Sequence, residues 1–284
     1  QAGADIFRLN FSHGTHEDHR KRVFHIRQYE KRLGRPIAIL GDLQGPKIRI
    51  GLFKKTFAFL KNNQRFILDL NPKEGDQNRV FLPHKEIFKS VKKNNKILID
   101  DGKIILNINK VLSDQIITEV LVGGKISNKK GVNVPEAFIK MSSLTEKDIK
   151  DLKFCLDLSF DYIALSFVQK AKDLNDLKKY VGNQTGIMAK FEKPLAIKNM
   201  NEILQHCDAA MVARGDLGVE MPPEEVPIIQ KRIVQSCRDF GIPVVVATQM
   251  LDSMVESPSP TRAEASDVAT AVFDAADCLM LSAE

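Results

Sequence analysis

Tryptophan is absent from this 284-residue chain and tyrosine occurs only 3 times. Proteins that bind nucleic-acid strands interleave basic side chains with stacking rings. Here Lys54, Lys55, Lys92, Lys93 and Lys96 stand scattered without such rings, so nucleic acid is not an expected partner. No apolar run approaches the roughly 18 residues of a membrane span, and no signal-peptide pattern is present. Cysteine is sparse too. Cys155, Cys207, Cys237 and Cys278 are widely spaced, with no Cys-x-x-Cys, and read as reduced, mostly buried thiols of a cytoplasmic protein. The phosphate-binding pattern Gly-x-x-x-x-Gly-Lys-Ser/Thr is also missing, which excludes a P-loop enzyme.

What is present is an ordinary globular composition, 43% hydrophobic and 27% charged, long enough for a large α/β barrel or two domains. The net charge of +6 is unevenly spread: residues 47–143 carry 19 basic and 9 acidic side chains, a surplus of ten, leaving the remainder mildly acidic. A basic module covering a polyphosphate nucleotide accounts for that asymmetry, with most of the individual lysines simply solvated.

Outside 47–143 short apolar runs alternate with amphipathic stretches, the pattern of a parallel sheet wrapped by helices. Strands are expected at 6–10, 37–41, 162–166, 187–191, 209–212, 244–248 and 278–282. Helices are expected near 15–33, 145–158, 171–181, 195–206, 224–240 and 262–274. Thr15-x-x-Asp18 and Thr145-x-x-Asp148 read as N-terminal caps, and Gly34 and Gly241 as C-caps. Within 47–143 the runs Arg65–Leu70, Lys96–Ile99, Lys103–Ile108 and Ile116–Val122, with turns at Asp101-Gly102 and Gly123-Gly124, point to a small all-β domain. The expected organisation is a discontinuous barrel domain, 1–46 and 144–284, interrupted by an inserted domain at 47–143.

The chemistry concentrates where strands end. Met188-Ala189-Lys190-Phe191-Glu192 places Lys190 and Glu192 two apart, on one side of an extended strand. Asp216 follows the next strand in Ala213-Arg214-Gly215-Asp216. Two hard carboxylates with room for water suit Mg²⁺, and a lysine beside them would neutralise charge on a transferring phosphoryl group or an enolate. A lone Lys-x-Glu is more often a solvated ion pair. Its weight here comes from Ala247-Thr248-Gln249-Met250-Leu251, from Ser257-Pro258-Ser259-Pro260-Thr261-Arg262-Ala263-Glu264, and from Arg8-Leu9-Asn10-Phe11-Ser12-His13-Gly14.

Together these motifs, in this order, closely resemble the pyruvate kinase family over the whole chain. The resemblance implies a (β/α)8 TIM barrel with an inserted β lid. It also implies that one strand and helix precede residue 1, and that a last barrel helix and a C-terminal domain follow Glu284. The implied activity is phosphoryl transfer from phosphoenolpyruvate to ADP, giving pyruvate and ATP in glycolysis, by a protein that is a homotetramer at full length.

By resemblance, Glu192 and Asp216 hold Mg²⁺, with Mn²⁺ as an alternative. Lys190 and Arg8 stabilise the phosphoryl group. The Gly215 and Asp216 backbone, with free N–H groups at a helix start, binds the substrate carboxylate, and Thr248 lines the site near the methylene carbon. Arg49 and Lys130 contact the nucleotide phosphates, Asn10 and His13 lie beside the nucleotide, and Asp101 faces the cleft. Ser282 and Glu284 order water for protonating the enolate.

Many family members need K⁺ near Asn10, Ser12 and Asp42, followed by Asp-Thr-Lys-Gly-Pro-Glu. Here the loop reads Asp42-Leu43-Gln44-Gly45-Pro46-Lys47. An internal ammonium at Lys47 could supply the positive charge otherwise provided by K⁺, so activity without K⁺ is expected, as the resemblance to the lysine-bearing branch of the family implies; the second reading is a surface lysine at a domain hinge.

Other patterns carry less. Arg214-Gly215-Asp216 spells an adhesion tripeptide but follows a buried strand, and Asp239-Phe240-Gly241 falls at a helix end rather than in a protein-kinase context. His13, His16 and His19 read as solvated, with His13 near the site. A Mg²⁺-dependent aldolase or lyase on a related barrel, which lacks the basic insert, is the competing enzyme reading. An inactive, open-edged fragment is the non-enzymatic one.

Overall fold

The computed structural model describes residues 3–139 and 141–282. Chain order opens with β1 (Ile6–Asn10), α1 (His16–Leu33) and β2 (Ala38–Asp42). There follow β3 (Phe57–Leu60), β4 (Arg65–Asp69), β5 (Arg79–Phe81), α2 (Lys85–Ser90), β6 (Lys96–Ile99), β7 (Ile104–Val111), β8 (Gln115–Val122), β9 (Gly124–Ser127) and β10 (Val132–Asn133). The alternation resumes with α3 (Glu146–Asp157), β11 (Tyr162–Leu165), α4 (Ala171–Val181), β12 (Gly186–Phe191), α5 (Pro194–Lys198), α6 (Met200–Leu204) and β13 (Ala209–Ala213). It ends with α7 (Arg214–Glu220), α8 (Val226–Phe240), β14 (Val244–Ala247), α9 (Arg262–Phe273) and β15 (Cys278–Met280).

Two compact units result. One takes in the chain through Pro46, Ser142–Leu217 and everything from Glu224 onward; the other is Lys47–Met141 with Gly218–Pro223. The first is an incomplete (β/α) barrel: a 7-stranded sheet in the order β1-β2-β11-β12-β13-β14-β15, every neighbouring pair parallel. The second contains a 6-stranded sheet, β10-β6-β7-β8-β4-β5, and a 2-stranded one, β3-β9. It has its own core, in which Phe66, Leu68, Val80, Ile97, Leu106 and Ile116 are fully buried.

In the barrel unit, Leu40, Ala164, Met188, Ala209, Met211, Val245 and Ala247 form a cluster made of strand residues alone, with Ile6 packed against it. These residues lie on one face of the sheet. Because side chains alternate along a strand, the same face carries Arg8 after Ile6, Asp42 after Leu40, Ser166 after Ala164, and Lys190 and Glu192 after Met188. An apolar floor thus sets the direction of the polar groups at the strand ends, where barrel enzymes carry their chemistry.

Helix signals work as their chemistry dictates. Thr15 and Thr145 each make a reciprocal capping box with Asp18 and Asp148, and Gly34 and Gly241 close α1 and α8 in left-handed conformation at φ 65° and 67°. A third box, Thr261 with Glu264, opens α9. The Glu264 carboxylate accepts from Ser253 and Thr261, and those hydrogen bonds hold its pKa down to about 2.

Some expectations need correction. The stretch 195–206 is two short helices meeting at Asn199, whose side chain leaves the helix to bond the Gln169 carbonyl at 2.8 Å. The inserted unit is not wholly β, since it holds α2. Gly124 is not a turn residue but the first residue of β9. His19 is buried rather than solvated, because with Val23 and Ile26 it falls on the inward stripe of α1. Its ring lies 4.5 Å from that of Phe11, and burial lowers its pKa. The four thiols are free, Cys155 and Cys237 fully buried, and burial pushes Cys207 and Cys237 up to about 12. Among the described residues no helix is long and apolar enough to cross a membrane.

Gly45 shows how tightly the loop after β2 is built. It sits at φ 68°, its N–H donates to Asp148 Oδ1 at 3.1 Å, and a Cβ there would lie 2.6 Å from the Phe167 ring. Gly45→Ala is therefore expected to cost about 1–3 kcal/mol, read as a lowered urea midpoint against wild type. An unchanged midpoint would show that the loop is free to relax.

Candidate active site

Lys190 stands at the centre. Its side chain is buried, 9% exposed. Nζ donates to Ser166 Oγ at 2.8 Å and to Asp42 Oδ1 and Oδ2 at 3.1 and 3.4 Å, and pairs with Glu192 Oε1 at 2.8 Å. An ammonium has three N–H groups, and here all three are engaged. Burial opposes the charge, but the carboxylates of Asp42, Glu192 and Asp216 outweigh it and hold the Lys190 pKa above the ordinary lysine value.

Asp42 serves two cations. Its Oδ2 accepts from Arg8 Nε at 2.7 Å and from Nη2 at 2.6 Å, while its other oxygen faces Lys190. The β1–β2 register pairs Asn10 with Asp42 and Arg8 with Leu40, so Arg8 lies one pleat below the carboxylate. Ser166, also buried, donates to the Leu43 carbonyl at 2.8 Å while accepting from Lys190.

Glu192 Oε2 accepts the Phe167 N–H at 2.8 Å, so both oxygens of this buried carboxylate have protein partners. Among the described residues no group of three or more His, Cys, Asp or Glu side chains is disposed to hold a metal. The two carboxylates expected to hold a metal, Glu192 and Asp216, would offer it hard oxygen. That fits Mg²⁺, which retains water and takes substrate oxygens, rather than a metal needing a full protein cage.

The turn after β14 is the second focus. Thr248 and Gln249 have φ of 70° and 54°. Left-handed backbone is a genuine outlier for a β-branched residue and costs on the order of 1–3 kcal/mol per residue. Thr248 Oγ1 accepts the Gly215 N–H at 2.7 Å. The expectation of free N–H groups at the start of α7 is thus corrected at Gly215, whose amide is satisfied by the protein's own hydroxyl. Asp216, in the first turn of α7, is near enough to Lys190 to raise its pKa.

Asn10 Oδ1 accepts the Ser12 N–H at 3.0 Å in a local turn, and His13 is exposed just beyond. Leu43 is fully buried and brings no side-chain oxygen. In the second unit, Arg49 Nη1 donates to the Lys129 carbonyl at 2.7 Å and Lys130 pairs with Asp100 at 2.9 Å. Asp101 is exposed. Lys47 is exposed in this unit, its Cε near Gly131, so it is a surface lysine and not the internal ammonium expected. Ser282 is exposed, and Glu284 lies outside the described residues.

Sequence reasoning undervalued three groups. Ser166 stands among the polar strand ends, where a loop entry reads as well as a site residue, although its period-two relation to Ala164 puts it on the site face. Arg214 reads as part of a coincidental tripeptide, yet it is buried and makes hydrogen bonds to Thr248, Gln249 and Asp267. Asp267, in the middle of α9, gives no local signal, because its partner lies 53 residues away.

Comparison with known proteins follows the same line. A family model described as pyruvate kinase, barrel domain, matches residues 1–284. The pyruvate kinase of Methylorubrum extorquens is 52% identical over 283 residues, covering 100% of this chain and 59% of the relative. One from Agrobacterium vitis is 52% identical over 285 residues, covering 100% and 60%. That of Corynebacterium glutamicum is 47% identical over 285 residues, covering 99% and 60%. The chain spans about 60% of the length of these curated relatives.

Removing the Lys190 ammonium leaves buried carboxylates short of a counter-charge. Lys190→Met is expected to lower stability by about 3–5 kcal/mol. A lysine whose folded pKa is raised contributes fully below its unfolded value, about 10.4, and loses that contribution only as pH rises through the folded one. The difference in urea midpoint between wild type and variant should therefore stay constant between about pH 7 and pH 9. A difference that shrinks across that window would show Lys190 titrating in the ordinary range.

Proposed function

Since the chain belongs to the pyruvate kinase family, we propose that the protein carrying it transfers the phosphoryl group of phosphoenolpyruvate to ADP, yielding pyruvate and ATP. The observation that supports this most is the group of Arg8, Asp42, Ser166, Lys190 and Glu192 on one sheet face, all but Arg8 buried, two cations among fixed acceptors. Phosphoryl transfer asks the protein chiefly to position reactants and stabilise charge, and this group is built for that.

In the reaction the bond between phosphorus and the enol oxygen breaks and a bond to a β-phosphate oxygen of ADP forms. The enolate left behind takes a proton at its methylene carbon. Arg8, gripped by Asp42 along its Nε and Nη2 edge, presents its opposite edge to phosphoryl oxygens. Lys190 exchanges one of its protein acceptors for the bridging or phosphoryl oxygen and steadies the enolate.

Glu192 and Asp216 would hold Mg²⁺, with Mn²⁺ as a substitute. The ion, when bound, neutralises phosphoryl charge. Thr248 lines the carbon end of the substrate, where its hydroxyl gives up the Gly215 amide to the substrate carboxylate. Arg49 and Lys130 take the ADP phosphates, with Asn10 and His13 beside the nucleotide. Ser282 and Glu284 order the water that protonates the enolate. The same reading places the intact protein in cytoplasmic glycolysis as a homotetramer.

The oxygens that would surround K⁺ are engaged: Asn10 Oδ1 by Ser12, Asp42 by Arg8 and Lys190, and the Leu43 carbonyl by Ser166. Each of these oxygens can still take a cation, so the support for turnover without K⁺ is the sequence of the loop, with Leu43 and Lys47 in place of the family's threonine and glutamate, and Lys47 is the residue that would substitute for it.

The test is pyruvate formation from phosphoenolpyruvate, ADP and Mg²⁺ by the intact protein. Activity unchanged on adding K⁺, and reduced about 10³-fold or more in Lys190→Ala, is the expected result. Lys47→Glu should make the rate rise with K⁺. No turnover by a folded wild type would refute the phosphoryl-transfer reading, and a strict K⁺ requirement would refute the role of Lys47.

A further inference from the structure

The guanidinium of Arg214 is fully committed. It follows β13 directly and is 9% exposed. Nε and Nη2 donate to the Thr248 carbonyl at 3.1 and 2.6 Å, and Nη2 also donates to the Gln249 carbonyl at 3.0 Å. Nη1 donates to both oxygens of Asp267 at 2.8 Å and to Gln230 Oε1 at 3.4 Å. Five N–H donors in a fixed plane thus join the turn after β14 to α8 and α9.

The two carbonyls it grips belong to the two left-handed residues, Thr248 and Gln249. Neither residue type favours that conformation, and it persists only where the surroundings over-determine it. Two groups over-determine it here. Arg214 binds both carbonyls, and the Gly215 amide binds Thr248 Oγ1. Arg214 and Gly215 are adjacent, so both restraints arise from one peptide at the start of α7.

We propose that Arg214, seated by Asp267, is a positioning residue that holds the Thr248–Gln249 turn in its left-handed form and so fixes the Thr248 hydroxyl at the substrate site. The proposal deepens the phosphoryl-transfer reading and rests on it for the role of Thr248. A lysine at 214 would keep the charge but lose the planar fork that spans two carbonyls and a carboxylate.

Hydrogen exchange at the Gly215 amide, read residue by residue by mass spectrometry on the intact protein, tests the clamp without substrate. Arg214→Gln should expose that amide to exchange. It should also lower kcat about 10²-fold, the scale of a misplacement near 1 Å, while leaving the KM for ADP within about threefold. Gln249→Gly, which removes the penalty on positive φ, should restore part of both the protection and kcat in the Arg214→Gln background. A merely structural arginine predicts no such rescue.

If Arg214→Gln does not fold, Asp267→Asn with and without Gln249→Gly is read in the same way. A folded variant whose Gly215 amide stays protected, or a Gln249→Gly change that rescues nothing, overturns the proposal. An inactive wild type with a protected Gly215 amide would instead sink the phosphoryl-transfer reading and leave the clamp standing.

Discussion

A positive charge that is out of water must be surrounded before the chain around it can settle, and the Lys190 ammonium imposes that condition on the barrel unit. Desolvating it is affordable only because Asp42, Ser166 and Glu192 converge on it. Those three come from three strands whose side-chain alternation must be in phase, and the phase is set by the apolar layer below, where Leu40, Ala164 and Met188 pack. A one-residue slip in any of these strands would turn an acceptor to the opposite face of the sheet. The charge therefore acts as a check on register: the sheet that buries its hydrophobic floor correctly is the sheet that neutralises Lys190.

The capping chemistry secures the same arrangement from outside. Asp148 caps α3 through Thr145 and also receives the Gly45 amide, so one carboxylate starts a helix and ties down the loop leaving Asp42. Glu264 does comparable work for α9, the helix that supplies Asp267. Local helix-start signals thus determine where long-range side-chain partners arrive.

Much of this was legible in the sequence, for identifiable reasons. Strands buried on both faces, such as β12, β13 and β14, read as continuous apolar runs, and all seven parallel strands lie within a residue or two of their expected ends. Thr15 and Thr145 announced helix starts because a capping box is a four-residue affair. Lys190 and Glu192 declared a shared face through a spacing of two.

The features that escaped depend on distance in the chain or on competition between partners. Nothing near Asp267 indicates a guanidinium 53 residues earlier. Nothing near Gly215 indicates that a hydroxyl from residue 248 will claim its amide. The inserted unit was harder because its short strands β5, β9 and β10 are defined by the strands they pair with and not by their own pattern. His19 misled because a polar residue type outweighed a helical stripe.

The hydroxyl on the Gly215 amide and the three acceptors around Lys190 share a property. Each of these groups is already bonded to the protein itself. Such a site is not an empty mould waiting to be filled but a set of closed contacts, and admission of a ligand is a trade of one partner for another. The heat released on binding then reports only the difference between the incoming contact and the one surrendered, and it can be small even where each contact is strong. Discrimination follows from the same accounting: a molecule is retained when it outbids the side chains already in place, so the resident hydroxyl and carboxylates set the threshold below which a weak imitator is refused.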